Sequence, residues 1–590
     1  MKTLLQPLLC LLLLITASQL CLLLLITASC NGTAETSINL TPPASLQVSA
    51  AITNRRLGTT DLVWIAPGDD GFEGFVTRYE VRRATSVITD ANFDQATLIE
   101  EVSPQVAAQQ EESYTVAELP WNPPMGTGSI THYVAVVGFD DLDNRTLVGD
   151  NVEVTLELAE SRFSGLGAGS GIGFDFGSVG DLNNDGRDEM VVLLRGDRGG
   201  THLIYGSDDL DAIDGEAAEP QLLTGPHDDY IGLAVGRAAA LGDINGDNID
   251  DMAISAPWRF ISAPWGDTLR GTVYVYFGVD GGQISGDPDV DIDGLEGLEG
   301  SELSLTEGTF GLSVGSAGNF SDVADEGIAD LIVGAPGDDG AGAAYVLLGR
   351  TSWDSNITVS ADEATNEANL VVKFNSDVAG GEFGHSSAPL SDLNSDGFNE
   401  VAIAAYRGVN NQNGVVSIFT GGTLSNLGEL HFGQDDQQIL PPSRVAGVAS
   451  ADFDGDEVLD LVINAYADAI SVYLFDQGVP SDASETWFTP TGVPLAQLAV
   501  GDINADGSPD IVAGGFFRCG WVDHHCQTGD NIGRLDVYIN EAGTFGGNPS
   551  LRYDRANNWA NDVNVGDFNG DGFEDVVAGH KEGSSFIILY

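Results

Sequence analysis

Seven nine-residue stretches rich in Asp, Asn and Gly recur after residue 160, beginning at Asp181, Asp243, Asp322, Asp392, Asp452, Asp502 and Asp567. Six of them put side-chain oxygens at positions 1, 3, 5 and 9. These are Asp181, Asn183, Asp185 and Glu189; Asp243, Asn245, Asp247 and Asp251; Asp392, Asn394, Asp396 and Glu400. The others are Asp452, Asp454, Asp456 and Asp460; Asp502, Asn504, Asp506 and Asp510; Asp567, Asn569, Asp571 and Asp575. Calcium takes six to eight oxygens at about 2.3–2.6 Å, and a short loop wraps it only if alternate residues point inward. Position 6 calls for glycine because the chain must turn sharply there. Position 7 offers a backbone carbonyl, from Arg187, Ile249, Phe398, Val458, Ser508 and Phe573. One such loop is explained equally well as an acidic turn capped by its own side chains; six copies in register are not.

Three loops depart in informative ways. In the third, Asp322, Glu326 and Asp330 keep the acidic character, but position 3 is Ala324, and Asn319 offers an alternative start with a three-residue insertion. That site is expected to be weak or empty. Asn248 and Glu457 stand where the second and fifth loops call for glycine, so those turns are expected to be strained.

Strands, not helices, flank every loop, and the repeats average about 64 residues, the size of a four-stranded propeller blade with its connections. Phe310-Gly311 and Phe383-Gly384 lie upstream of their loops, with Ile231-Gly232 in the same place in another repeat. Ile254-Ser255-Ala256-Pro257 and Val333-Gly334-Ala335-Pro336 lie downstream. The segment 159–590 thereby resembles the FG-GAP repeats of the integrin α-subunit β-propeller. The resemblance implies a seven-bladed propeller in which positions 1, 3, 5 and 9 bind Ca2+ through side chains and position 7 through its carbonyl, with about six sites. The last repeat ends on its third strand, so its fourth must come from elsewhere if no edge is to stay open. The segment from about Leu156 to Phe163 is the candidate.

Residues 44–158 alternate in short runs at Leu46–Ala50, Asp61–Ile65, Arg78–Arg83, Ser113–Val116, His132–Phe139 and Val152–Leu158, separated by turn-formers. This pattern reads as a β-sandwich. Trp64, Tyr79-Glu80-Val81-Arg82, Leu119 and Tyr133-Val134-Ala135-Val136 make it similar to a fibronectin type III domain. The fold class is therefore all-β: a seven-bladed β-propeller preceded by a fibronectin type III-like sandwich.

Residues 1–30 carry a short basic start and a doubled apolar segment, an export signal in place of a membrane span. The second copy ends Thr27-Ala28-Ser29-Cys30, which resembles a bacterial lipoprotein cleavage box and makes Cys30 the candidate for lipidation. An ordinary cleaved signal and a retained anchor are the alternatives. Residues 31–43 read as a linker. Cys519 and Cys526 remain; in an exported chain they suggest a small disulfide loop. The adjacent His524 and His525 leave a Cys2His2 zinc site as the alternative.

Composition agrees with export. The 590 residues hold 89 acidic and 23 basic side chains, a net charge of −66, with lysine only at 2, 373 and 581. Such a surface repels nucleic acids and anionic lipid head groups. Seven calcium ions would offset only about 14 of these charges, so the dispersed remainder suits a saline exterior, where screening removes self-repulsion. Catalytic patterns do not hold up. Gly311-Leu-Ser313-Val-Gly315 has the nucleophile-elbow spacing but lies in a strand pattern without a following helix, and Arg195-Gly196-Asp197 is weak evidence in so Gly- and Asp-rich a chain. The expectation is a calcium-binding cell-surface or outer-membrane recognition or adhesion protein, otherwise secreted or periplasmic, with a protein or glycan ligand and a membrane contact only through a lipid anchor. The alternative is a calcium-dependent polysaccharide lyase or hydrolase, which would require an Arg, Lys, His or Tyr cluster on one face.

Overall fold

The structure is a computed structural model. It describes residues 43–54, 59–69, 74–116, 119, 129–157, 160–164, 171–195, 201–208, 210, 221–223, 237–257, 260–263, 266–269, 271–294, 309–321, 327–359, 366, 370–376, 380–408, 413–422, 430–431, 437–465, 469–475, 485–488, 495–518, 531–540, 543–545, 549–556, 559–580 and 585–589. The regular elements are almost all strands, and the chain separates into two compact units.

The smaller unit is built mainly on Leu62–Tyr114 and Tyr133–Val152. A sheet of Val48–Asn54, Thr59–Ile65 and Glu111–Val116 accompanies one ordered Thr97–Val102, Arg78–Ala84, Ser129–Phe139, Val152–Glu157. Alternation drives this arrangement. Thr59–Ile65 buries Leu62 and Trp64 while its intervening side chains face outward. Trp64 meets Tyr79 of the other sheet edge-on, with ring centroids 5.0 Å apart. Thr97–Val102 is absent from the alternating runs because it is an edge strand of mostly exposed residues, held by its ladder to Arg78–Ala84.

The larger unit, Glu153–Tyr590 with two short upstream segments, contains seven described sheets that share one plan. Each begins with a strand that leads into an acidic loop: Gly171–Ser178, Ala238–Gly242, Ser313–Gly318, Phe383–Pro389, Val445–Ala451, Leu495–Gly501 and Trp559–Gly566. The strand after the loop pairs antiparallel with the first, and a third and fourth follow outward. These first strands are neighbours in chain order, and the last lies beside Gly171–Ser178. They are rich in Ala, Gly and Ser because seven backbones converge there; a Cβ on Gly177 would sit 2.7 Å from the Ala238 carbonyl oxygen. Second strands such as Asp251–Ala256 and Asp460–Ala465 are buried at every residue, which explains why they are mostly apolar on both faces.

The fourth strand of the seventh sheet is Glu160–Ser164, paired with Ser585–Leu589 so that Ser164 faces Ser585 and Glu160 faces Leu589. The edge left by the last repeat is thus covered from upstream, close to the segment expected. Phe310 and Phe383 are buried, and Phe383 lies in one core cluster with residues of the third and fourth sheets. Gly384 behind it has a φ of +83° and no room for a Cβ, which would lie 2.2 Å from the Ala343 carbonyl oxygen. The Phe-Gly pair is therefore a wedge followed by a backbone that only glycine tolerates. This all-β arrangement is consistent with a β-propeller.

Candidate metal centres

Each acidic loop is shaped by its own carboxylates. In the fourth, Asp392 accepts the N–H groups of Asp396 (3.0 Å) and Gly397 (2.8 Å), and Asp396 accepts that of Phe398 (3.1 Å). The same bonds recur around Asp243, Asp452, Asp502 and Asp567. In each of the six fully described loops two residues are left-handed. Position 6 includes Gly397 (φ 98°) as well as Asn248 (65°) and Glu457 (70°), so the non-glycine residues do occupy a strained conformation. Position 4 is also left-handed, at Asn184, Gly246, Ser395, Gly455, Ala505 and Gly570; the sequence reading missed this requirement.

Position 9 is the anchor. Glu189, Asp251, Asp330, Glu400, Asp460, Asp510 and Asp575 are all buried, none more than 3% exposed. Asp510 accepts the N–H of Ile503 at position 2 (3.0 Å) and that of Asn540 after the third strand (2.8 Å). Asp251 and Asp460 do the same with Ile244 and Gly278, and with Phe453 and Phe475. One carboxylate thereby fastens its loop to two strands. Burial, opposed by these hydrogen bonds and reinforced by the facing carboxylates, raises Glu189 to about 8 and Asp251 and Asp460 to about 7, and lifts Asp510 well above the usual range.

The oxygens converge. One oxygen from each of Asp392, Asp396 and Glu400 lies within 4.8 Å of the others, as does one from each of Asp452, Asp454 and Asp460. Asn183 at position 3 gives its N–H to Glu189 (3.3 Å), while its Oδ1 is buried without a hydrogen-bond partner. An orphaned amide oxygen beside carboxylates that repel one another is a donor set that fits a hard divalent cation. The first loop differs in one respect: Arg187 at position 7 stands 3.4 Å from Asp185 and also bonds Asp208, so a fixed positive charge already faces one of its oxygens.

Asp322 and Glu326 lie outside the described residues, but the flanks of the third loop are informative. In the second loop Asp243 accepts the N–H of Ala329, and Ile244 that of Arg350. The residues accepting the matching N–H groups of Asn399 and Gly422 are Asn319 and Phe320. Asn319 thus takes the place that Asp243 holds in the second loop, and its Oδ1 is buried and unpartnered. Gly327, at φ 88°, keeps position 6, and Asp330 accepts the N–H groups of Ser321 and Gly349.

These contacts also reveal position 8. The N–H of Asp188 donates to the Asp567 carbonyl (2.9 Å), that of Ala329 to Asp243 (2.9 Å), that of Asn399 to Asn319 (2.8 Å) and that of Glu574 to Asp502 (3.3 Å). Four neighbouring pairs of loops are therefore latched together in this way, the seventh and the first among them. Pro509 holds this position in the sixth loop and has no N–H to give. Several position-8 residues are polar in the sequence, but nothing local marks the partner. Cys30, Cys519, Cys526, His524, His525, Ile231-Gly232 and Gly196-Asp197 lie outside the described residues.

The FG-GAP-like repeat family matches residues 392–463 and 452–513, and the FG-GAP repeat family matches 235–276. Integrin alpha-V of Gallus gallus is 28% identical over 266 residues, 42% of this chain and 22% of that protein. Integrin alpha-5 of Xenopus laevis is 27% identical over 260 residues, 42% and 21% of the two chains. Phosphatidylinositol-glycan-specific phospholipase D of Mus musculus is 35% identical over 123 residues, 19% and 14%. The matched region spans about a fifth of the integrin chains. A solved structure of BBS1N in complex with ARL6DN covers 71% of this chain and 93% of its own at 11% identity, with a TM-score of 0.37. The chain thus carries FG-GAP repeats and is similar to integrin α subunits over that region.

Proposed function

We propose that this chain is a calcium-binding recognition or adhesion protein displayed at the cell surface, with a seven-bladed propeller as its ligand-presenting domain and a fibronectin type III-like domain before it. The observation that carries the reading is the recurrence, in the six fully described loops, of a buried position-9 carboxylate facing side-chain oxygens at positions 1, 3 and 5, all exposed or half-buried except Asn183. Calcium, when bound, supplies the positive charge that these oxygens lack and holds the first and second strands of each sheet together. The residues named for the six regular loops hold it; in the third, Asn319 takes the first position. The similarity to integrin α subunits supports an extracellular protein ligand, and lipidation at Cys30 would supply the anchor. Catalysis is no part of the reading, because the recurring carboxylates of the loops are engaged by backbone N–H groups. Thermal melting with and without calcium tests it: added calcium raises the melting temperature and EDTA lowers it. A melting temperature indifferent to both would refute it.

A further inference from the structure

The first strands begin at the end of the sheets away from the acidic loops, and cationic side chains gather there. Glu382 precedes Phe383–Pro389, His385 lies on that strand, Tyr406 and Arg407 follow Val401–Ala405, and Arg444 precedes Val445–Ala451. Tyr406 is the hub. The His385 ring lies 5.0 Å from it, tilted by 35°, and the guanidinium carbons of Arg407 and Arg444 each stand 5.4 Å from its centroid.

Arg237, just before Ala238–Gly242, reaches Gln497 on Leu495–Gly501 at 3.3 Å. Those two strands are not neighbours, so the contact crosses the middle of the ring of first strands. Burial, and then the charge of Arg237, take the His385 imidazole down to about 4, which leaves it neutral in ordinary media. Its Nδ1 and the Nε of Arg407 are buried without hydrogen-bond partners. The carboxylate paired within the group is Glu382, 3.3 Å from Arg407. A chain with 89 acidic and 23 basic residues here brings two arginines together around one tyrosine, with a third close enough to His385 to depress its imidazole.

We propose that this cluster is a carboxylate-recognition site whose ligand is an acidic side chain of a protein partner. The arginines supply forked donors that match a carboxylate, and the unpaired Nε of Arg407 is a buried donor that an incoming oxygen satisfies. The aromatic ring holds two of the guanidinium groups in place. The Arg237–Gln497 contact spans strands that are not neighbours and occupies the space between them, which favours a single side-chain carboxylate over a chain of sugar rings. The charge of −66 does not forbid an acidic partner: at physiological ionic strength it is screened beyond about 8 Å, and contact is governed by the local cluster. This inference deepens the recognition reading above and rests on it.

The test uses the full calcium-loaded chain with poly-L-glutamate as the probe and polygalacturonate as its glycan counterpart, at buffered free calcium. Poly-L-glutamate is expected to bind, about tenfold or more weakly after Arg444→Gln or Arg237→Gln. It should bind several-fold more tightly after Glu382→Gln, which frees Arg407. No binding, or binding unchanged by all three substitutions, as bridging calcium on the acidic loops would give, overturns the proposal. Tighter arginine-dependent binding of polygalacturonate overturns the protein assignment, and release of unsaturated sugars from it would replace recognition with eliminative cleavage. Should an arginine variant fail to fold, Glu382→Gln decides. Calcium-dependent melting is recorded alongside: its absence in the wild type defeats the calcium reading, whereas its retention with no polyanion binding defeats only this site.

Discussion

The two ends of the larger unit's sheets are built from the same strands and solve opposite problems. At the loop end, carboxylates crowd together and are held by backbone N–H groups of their own and neighbouring segments. At the end where the first strands begin, arginines from different sheets meet around one tyrosine, and among the described residues Glu382 is the carboxylate paired with one of them. The first arrangement is repeated in every sheet and is local, since all its side chains lie within nine residues. The second occurs once and draws on residues from Arg237 to Gln497. Repetition marks what stabilises the molecule; the singular cluster marks where one ligand is distinguished from another.

The contrast is sharpest at position 9. Asp510→Ala leaves the buried N–H groups of Ile503 and Asn540 without acceptors and should cost about 2–4 kcal/mol in urea unfolding even in EDTA. Asp506→Ala, on the exposed side of the same loop, should lose calcium affinity with little effect on the metal-free protein. Equal costs in EDTA for both would erase the distinction between anchor and ligand.

The pH dependence comes next in size. Glu189, Asp251 and Asp460 have folded-state values of about 8, 7 and 7, above the unfolded carboxylate range of about 4. Between these limits the native state holds more protons than the unfolded one, so metal-free stability falls as pH rises from about 4 to 8. Calcium replaces those protons and reverses the trend. The EDTA-treated protein should melt higher at pH 5 than at pH 8, and the calcium-loaded protein higher at pH 8. Scanning calorimetry at the two pH values reads this directly, and parallel trends in both states would count against buried carboxylates as the metal-linked groups.

A smaller effect belongs to the turns. Glu457→Gly relieves a left-handed glutamate and should stabilise the protein by about 1 kcal/mol, whereas Gly397→Ala, at φ 98°, should destabilise it by a similar amount. The smallest effect is expected at the other end. Arg444→Gln, with its cation–π contact to Tyr406, should shift stability by no more than about 0.5–1 kcal/mol and leave the calcium-induced rise in melting temperature intact. A large change in that rise would show the two ends to be coupled.

Sequence reading reached the loop end because its pattern is short-range: Asp at 1, Asp at 5 and an acid at 9 satisfy one another through nearby N–H groups. It located the covering strand because an open edge demands a partner. It overlooked position 4, since Asn184, Ser395 and Ala505 give no glycine signal for a left-handed residue. For the third loop it offered two starts, Asp322 and, with a three-residue insertion, Asn319; the inter-loop hydrogen bonds engage the Asn319 carbonyl. Thr97–Val102 escaped as an edge strand without alternation.

What the sequence by itself determined is the repeating chemistry: acidic oxygens at fixed spacing, glycine where the chain must reverse, apolar runs where strands are buried on both faces. These follow from contacts within a few residues, which linear order preserves. Only the tertiary structure decided which loop latches to which, which asparagine opens the third loop, and that Arg237, His385, Tyr406, Arg407 and Arg444 share one place. Those facts depend on the convergence of strands far apart in the chain, and convergence in space leaves no period in sequence.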